Sequence, residues 1–272
     1  MALGPVVISL PRLFLLLSVV AVFIAAHGWE RRIGRSLEKP LWLSLLAGLV
    51  AARLGYALTH LSDFQAEPWQ VLFFWQDGYM PAAGIVAALL LAAWFAFRGG
   101  YSPRPIFVPL LVGLVVWGGS SWVQHALRQA TNKPLPALAV ADLQDTAVIL
   151  DSFQGRPVVL NLWASWCPPC RREMPTLLAA QQAEPDVHFL FVNQGEGPVT
   201  IRQYLAAEQL QLRNVLLDLG GSVGRHFSSP GLPTTLFFDA NGRLVDTHVG
   251  ELSRARLGDY LRAISKQEQL SQ

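Results

Sequence analysis

Apolar and polar positions divide this chain into two unlike patterns that meet near residue 130. Before that point, apolar residues run almost unbroken through 5–26, 41–61, 81–97 and 106–123. Each run is close to the ~20 residues that carry a helix across the hydrocarbon of a bilayer. The pattern therefore predicts an all-α membrane domain of about four transmembrane helices. A cleaved signal peptide is the rival reading of the first run. It lacks a basic segment ahead of its apolar stretch and a small-x-small cleavage site, so a retained helix is expected. Beyond residue 136 the pattern changes to short apolar blocks alternating with amphipathic ones. Residues 156–163, Arg-Pro-Val-Val-Leu-Asn-Leu-Trp, read as a central strand covered on both faces. Residues 168–182 have helical spacing with Pro175 inside, where a kink is expected. Residues 187–192 read as a second buried strand and 200–208 as the crossover helix that parallel pairing requires. Residues 234–238 and 243–248 flank Asp239-Ala240-Asn241-Gly242, a hairpin signal. A closing helix is expected over 253–266 with Ser253 as its N-cap. The order β-α-β-α-β-β-α predicts an α/β domain with a central mixed sheet flanked by helices. The expected organisation is a transmembrane domain at 1–128, a linker at 129–136 and the α/β domain at 137–272. Pro134 and Pro136 make that linker an extended, semi-rigid spacer.

Charge gives the membrane half a direction. Arg31, Arg32, Arg35 and Lys39 follow the first apolar run, and Arg98 and Arg104 follow the third. The segment between the second and third holds Asp63, Glu67 and Asp77 and no Lys or Arg. The positive-inside rule puts the two basic loops in the cytoplasm and the acidic segment outside. Both termini and the α/β domain of a multi-pass membrane protein then lie outside, in the periplasm or its equivalent. Trp69, Trp75 and Tyr79 suit the outer interfacial belt, and Trp29 and Trp42 the inner one. A net charge of +2 gives no reason to expect a nucleic-acid partner.

The chemistry lies in one place, because Cys167 and Cys170 are the only two cysteines of the chain. They stand in Trp166-Cys167-Pro168-Pro169-Cys170, which opens the helix directly behind the first buried strand. Free N–H groups and the positive end of a helix dipole stabilise a thiolate at the first cysteine. The second, one turn further on, can close a disulfide onto it. A purely structural bridge over so short a loop removes little entropy from the unfolded chain. A zinc site needs four ligands, and His27, His60, His125, His188, His226 and His248 are scattered. Disulfide exchange is the expected chemistry, with no cofactor and no metal. The apolar runs contain no cysteine, so they cannot relay electrons by thiol exchange.

The block Asn161-Leu-Trp-Ala-Ser-Trp-Cys-Pro-Pro-Cys-Arg-Arg-Glu-Met-Pro175, with Gly231-Leu-Pro-Thr-Thr235 and Phe237 to Val245, resembles the membrane-tethered periplasmic thioredoxins of the TlpA/DsbE (CcmG-like) and ResA group. The resemblance covers about residues 135–266 and implies a thioredoxin-like fold. It also implies a cis Pro233 facing the disulfide, with Leu232 offering backbone groups to an extended client chain. Trp166 and Pro168 are expected to join Leu232 and Pro233 in the substrate-binding surface. Glu173 is implied as a partly buried acid near the thiols, able to exchange protons with them. Ordinary thioredoxins carry an aspartate where this chain has Asn161, which leaves proton handling to Glu173. Arg171 and Arg172 are expected to be exposed. The expected catalytic set is Cys167, Cys170 and Glu173, serving client proteins with disulfides. A membrane electron donor of the DsbD type is the implied partner. Oxidation or isomerisation of clients by the same chemistry stays open.

A second resemblance covers about residues 41–95. Gly48-Leu-Val-Ala-Ala-Arg-Leu-Gly-Tyr-Ala-Leu58, Phe64-Gln-Ala-Glu-Pro-Trp69 and Phe74-Trp-Gln-Asp-Gly78 are similar to the amino-terminal part of prolipoprotein diacylglyceryl transferase. That family continues into His-Gly-Gly where this chain has Ala82-Ala83-Gly84, so the catalytic histidine is missing. The resemblance implies a repurposed, catalytically inactive anchor, with a lipid- or lipoprotein-handling membrane protein carrying an accessory redox domain as the alternative. Arg53 and Tyr56 are retained for helix packing or for contact with membrane lipid.

Overall fold

The computed structural model describes residues 2–3, 6–7, 10–64, 68–74, 78–130 and 133–270. Glu67, Trp75 and Asp77, named above, lie outside the described residues, as do residues 5, 131 and 132 of the expected segments. The chain separates into a helical unit ending at Ala130 and an α/β unit that carries the rest of the C-terminal half.

The helical unit contains α1 (Leu10–Ile33), α2 (Glu38–Thr59), α3 (Pro81–Arg98) and α4 (Pro103–Ala130). All four are long and apolar enough to cross a membrane. Prolines stand in the first turns of α1, α3 and α4, where a missing N–H costs nothing. The sequence boundaries need correction at two ends. The first helix does not stop at residue 26 but continues through polar residues to Ile33, so Arg31 and Arg32 form its last turn. Cations there oppose the negative end of the helix dipole. The fourth helix runs to Ala130, which takes 129 and 130 out of the expected linker.

Small residues let α2 and α3 touch through their backbones. A Cβ placed on Gly84 would lie 2.8 Å from the Gly48 carbonyl oxygen and 2.9 Å from the Ala52 Cβ. One residue further along α2 from Ala52 is Arg53, 1 % exposed. Its Nε donates to the Val71 carbonyl at 3.0 Å and its Nη1 to the Gly78 carbonyl at 2.9 Å. The guanidinium also lies 5.7 Å from the ring centroids of Phe64 and of Tyr79. Arg53 thus ties the segment between α2 and α3 back onto α2.

Among its described residues the α/β unit builds one seven-stranded sheet. Its strands are β1 (Ala139–Asp142), β2 (Ala147–Ile149), β3 (Val158–Trp163), β4 (His188–Gln194), β5 (Val215–Asp218), β6 (Thr234–Phe238) and β7 (Leu244–Val249). They lie in the order β2-β1-β5-β4-β3-β6-β7. Pairing is parallel for β3 with β4 and β4 with β5, and antiparallel elsewhere. The helices are α5 (Pro168–Ala183), α6 (Pro198–Ala207), the short α7 (Ser222–His226) and α8 (Arg254–Leu270). β3 alternates between two cores. Val159 and Trp163 pack with Met174, Leu177, Phe189, Phe191, Phe237 and Ile264, whereas Leu160 and Leu162 pack with Leu190, Val192, Leu236 and Phe238. Burial on both faces is why the strand reads as an unbroken apolar run.

α5 passes through Pro175 without interruption. Ser253 caps α8, its Oγ accepting the Arg256 N–H at 3.4 Å. The hairpin closes as expected, with Asp239 Oδ1 accepting the N–H groups of Asn241 and Arg243 at 3.0 and 2.9 Å. Gly242 there takes φ +72°. The expected strand list lacks β1, β2 and β5. Ala-Val-Ala-Asp, Ala-Val-Ile and Val-Leu-Leu-Asp are three or four residues long, so periodicity carries no signal at such lengths. The spacer expectation also changes at 133–136. Leu135 is buried and its N–H donates to the Gly242 carbonyl at 2.8 Å, while Lys133 Nζ donates to the His226 carbonyl. These residues are part of the α/β unit rather than a free spacer.

Gly84→Leu should force α2 and α3 apart and cost the helical unit roughly 1–3 kcal/mol, as overpacking does. Thermal melting of the full-length protein in detergent, followed by far-UV circular dichroism, would show a lowered helical transition. An unchanged transition would contradict the tight backbone contact.

Candidate active site

β3 delivers its end into a turn, and the turn ends at the first residue of a helix. Cys167 is the N-cap of α5 in extended conformation, with Pro168 and Pro169 filling the first helical positions. Its Sγ accepts the N–H of Cys170 at 3.4 Å. A sulfur in that place takes one of the orphan donors that a helix start leaves unpaired. Cys167 and Cys170 are joined by a disulfide with Cα atoms 5.3 Å apart. Both are buried, yet Trp166 immediately before Cys167 is 69 % exposed and Pro168 immediately after it is exposed. Exposed apolar side chains thus flank an otherwise covered sulfur.

Glu173, one turn beyond Cys170, points into the core and is 1 % exposed. Its Oε1 accepts Asn161 Nδ2 from β3 at 2.8 Å, and its Oε2 accepts the Leu252 N–H ahead of α8 at 2.9 Å. Burial pushes its pKa from 4.5 up to about 8, because desolvation outweighs the Asn161 and Leu252 donors, and Glu251 adds a like charge. The acid is therefore neutral over much of the physiological range and able to give or take a proton close to it. A neutral carboxyl needs an acceptor for its O–H. Asn161 Oδ1 is buried with no partner in the orientation that sends Nδ2 to Glu173 and to Thr235 Oγ1 at 3.0 Å. Turning that amide over supplies the acceptor. Asn161 occupies the strand position as expected, and the structure gives it a second part, as the direct partner of Glu173.

The peptide bond between Leu232 and Pro233 is cis. β6 runs antiparallel to β3, with Thr234 opposite Leu162. The same register carried one residue back sets Pro233 against Trp163, at the end of the sheet from which the Cys167 turn leaves. Leu232 is half-buried between the two cores, and the Pro233 carbonyl accepts the Gly250 N–H at 2.9 Å. A groove of about 510 Å³ runs beside it, lined by Leu232, Gly231, Ser229, Ser228, Arg225 and Gln194 among others. Arg171 and Arg172 are exposed and pair with Glu208 and Glu251, respectively. Open pairs of this kind add little stability.

Two hydrogen-bonded carboxylates, the half-buried Glu196 and the buried Asp218, were not singled out from the sequence. Glu196 Oε2 accepts the Ser165 N–H and Asn193 Nδ2, each at 2.7 Å, and its Oε1 accepts the Ser165 hydroxyl. It therefore clamps the turn two residues ahead of Cys167. Asp218 takes Ser222 through both N–H and hydroxyl, the Val223 N–H, and Gln194 Nε2, which fixes the start of α7. Asp218 followed by Ser222 at the end of an apolar tetrad is a readable helix-start signal. Asn193-x-x-Glu196 is too generic to find from sequence.

Comparison with known proteins agrees with this geometry. Residues 130–264 match the Redoxin family model. A thiol-disulfide oxidoreductase ResA from Bacillus cereus is 29 % identical over 156 residues, covering 57 % of this chain and 88 % of the relative. A ResA from Oceanobacillus iheyensis is 31 % identical over 129 residues, covering 47 % of this chain and 67 % of the relative. Among solved structures, a secreted Mycobacterium tuberculosis disulfide oxidoreductase homologous to E. coli DsbE is 26 % identical. That likeness covers 47 % of this chain and 96 % of the other, with a TM-score of 0.42.

The raised pKa of Glu173 predicts a pH dependence of stability with a definite sign. Between 4.5 and about 8 the unfolded chain has released a proton that the folded protein keeps. The contribution of this group is full below that window and is lost as pH rises through it. At about 1.4 kcal/mol per pH unit the loss amounts to a few kcal/mol. Glu173→Gln should therefore gain stability relative to the parent as pH rises from about 5 to 8. Urea unfolding of both disulfide-form proteins across that range tests it, and a difference independent of pH would contradict a neutral Glu173.

Proposed function

From the premise that the chain belongs, through its C-terminal half, to the Redoxin family and is a thiol-disulfide oxidoreductase of the ResA/DsbE type, we propose that it is a membrane-anchored reductase of client-protein disulfides on the periplasmic face of a bacterial inner membrane. The observation that carries the reading is the Cys167–Cys170 pair at the start of α5 with the buried Glu173 one turn behind it.

In the reduced protein, the Cys167 thiolate attacks a client disulfide. One client sulfur leaves as a thiolate, and the other is bonded to Cys167. Cys170 then loses its proton and attacks Cys167, the mixed disulfide breaks, and the second client sulfur leaves. Two electrons pass to the client, and the Cys167–Cys170 disulfide remains. Glu173 is the group proposed to take and return the Cys170 proton. Its support is a proton affinity near working pH in a dry site. Trp166, Pro168, Leu232 and Pro233 are proposed to meet the client, the last two through backbone groups of the cis turn. A membrane conduit of the DsbD type would restore the dithiol, since the helices α1 to α4 contain no cysteine.

The helical unit is proposed to act as the anchor, oriented by its basic loops. Two observations favour an anchor over a lipid-transfer enzyme. Ala82 stands where a catalytic histidine is required, and Arg53 is engaged by the carbonyls of Val71 and Gly78. Contact of this half with membrane lipid is part of the same proposal.

The equilibrium reduction potential of the full-length protein decides the direction. A value toward thioredoxin's, about −270 mV, is expected, whereas one near DsbA's, roughly −120 mV, would make the protein an oxidant of clients. Cys170→Ser should accumulate mixed disulfides on Cys167 in vivo, visible as thiol-sensitive bands on non-reducing gels. Cys167→Ser should accumulate none, and trapping by that variant would reverse the roles of the two sulfurs.

A further inference from the structure

We infer that His248 is a positioning residue for Glu173, acting through the one peptide group that joins Glu251 to Leu252. This inference rests on the proposal that Glu173 handles the proton of the cysteine pair. His248 lies on β7 opposite Thr235 of β6 and is 3 % exposed. Its Nε2 is 3.3 Å from the Glu251 carbonyl oxygen. A carbonyl oxygen only accepts, so the proton of that contact is on Nε2. The N–H at the other end of the same peptide belongs to Leu252 and donates to Glu173 Oε2 at 2.9 Å. A donor on an amide oxygen polarises the amide and strengthens its N–H, by about 10–30 % per bond in a chain of hydrogen bonds. The imidazole N–H, the peptide and the carboxylate form such a chain.

The sign of the effect is fixed by the direction of the bonds. Every donor in the chain points toward the carboxylate, so each favours its ionised form. His248 therefore opposes the burial that raises the proton affinity of Glu173, and holds that affinity lower than burial alone would set it. An imidazolium at His248 would act in the same direction. The other groups facing this pair are Asn161 from β3 and Thr235 from β6, together with Glu251, Tyr260 and Arg256 from α8 and the turn before it. Arg172 of α5 pairs with Glu251 on the outer side. The Tyr260 ring meets His248 edge-on at 5.9 Å, which holds the imidazole plane. The sequence offered His248 only as one scattered histidine. Its place becomes visible when the β6–β7 register and the turn at Glu251 are known together.

The test reads the ionisation of Glu173 itself. Full-length protein in detergent, labelled with carbon-13 at the glutamate side-chain carboxyls, is titrated by NMR, with the Glu173 resonance assigned by its loss in Glu173→Gln. His248→Phe should raise the Glu173 midpoint by roughly half a pH unit or more, about threefold in proton affinity. His248→Gln, which keeps an N–H donor on a side chain of similar reach, should return most of that shift. Coincident midpoints for the parent and His248→Phe would overturn the inference, as would equal shifts in the two variants. A readout free of any variant is the tautomer of His248 in the parent. Nitrogen-15 shifts should show the proton on Nε2, and a neutral ring protonated only on Nδ1 would overturn the relay. Failure of the functional premise looks different. It would appear as unchanged rate and pH profile of disulfide exchange in Glu173→Gln, with the His248 effect on Glu173 ionisation intact.

Discussion

A strand sealed on both faces that runs directly into a helix start is the constraint on which the α/β unit depends. β3 has a neighbour on each edge and a core on each side, so its direction and register leave little freedom. Whatever follows Trp163 is placed by that strand as firmly as the strand itself is placed. The turn is then fastened a second time, by Glu196 on Ser165, before the chain reaches Cys167. A helix start must satisfy donors that its own turns cannot reach, and here one of those donors is met by a sulfur. Rigidity from the sheet and an unmet need of the helix converge on one atom. The place of Cys167 at the helix start follows from that convergence.

Glu173 is tied to the same frame from the other side. Its carboxyl bridges β3 through Asn161 and the entry to α8 through Leu252, which lie far apart in sequence and adjacent in space. An ionised carboxylate in such a site would be costly, and the protein meets the cost by keeping the proton on. With Asn161 Nδ2 toward it the neutral acid is one acceptor short, and with Oδ1 toward it the carboxylate is one donor short. Asn161, with an amide that can present either end, suits both states. An aspartate at that strand position would bring a second negative charge into the same dry space, and one of the two acids would be forced neutral. Asparagine on the strand and glutamate on the helix are thus one arrangement rather than two separate substitutions.

What the sequence made legible follows this physics closely. The strands β3, β4 and β6 announce themselves because continuous burial leaves continuous apolar runs. The Cys-x-x-Cys and the Leu232-Pro233 pair stand out because their chemistry or backbone demands are rare. β1, β2 and β5 leave no comparable mark, being only three or four residues long. Glu196 and His248 were silent for a different reason. Each acts on a backbone group whose position depends on a strand register or on a turn distant in sequence, and no local spacing encodes that. The helix ends at Ile33 and Ala130 were misjudged because hydropathy marks where apolar residues stop, whereas a helix continues as long as its backbone bonds do.

Arg53 and Glu173 are each 1 % exposed, and the protein treats these two charges differently. Arginine stays a cation in proteins, so Arg53 is met by fixed acceptors, the carbonyls of Val71 and Gly78, and by two aromatic rings. Nothing in that arrangement changes with proton supply, and what it yields is a fastened segment between α2 and α3. A carboxyl can shed its charge by taking a proton, so Glu173 can be buried beside few partners and still answer to pH. The first solution holds a segment still whatever the pH. The second leaves a group that can change state near neutral pH. The two units thus differ in the kind of charge each buries most deeply, as well as in where the cysteines lie.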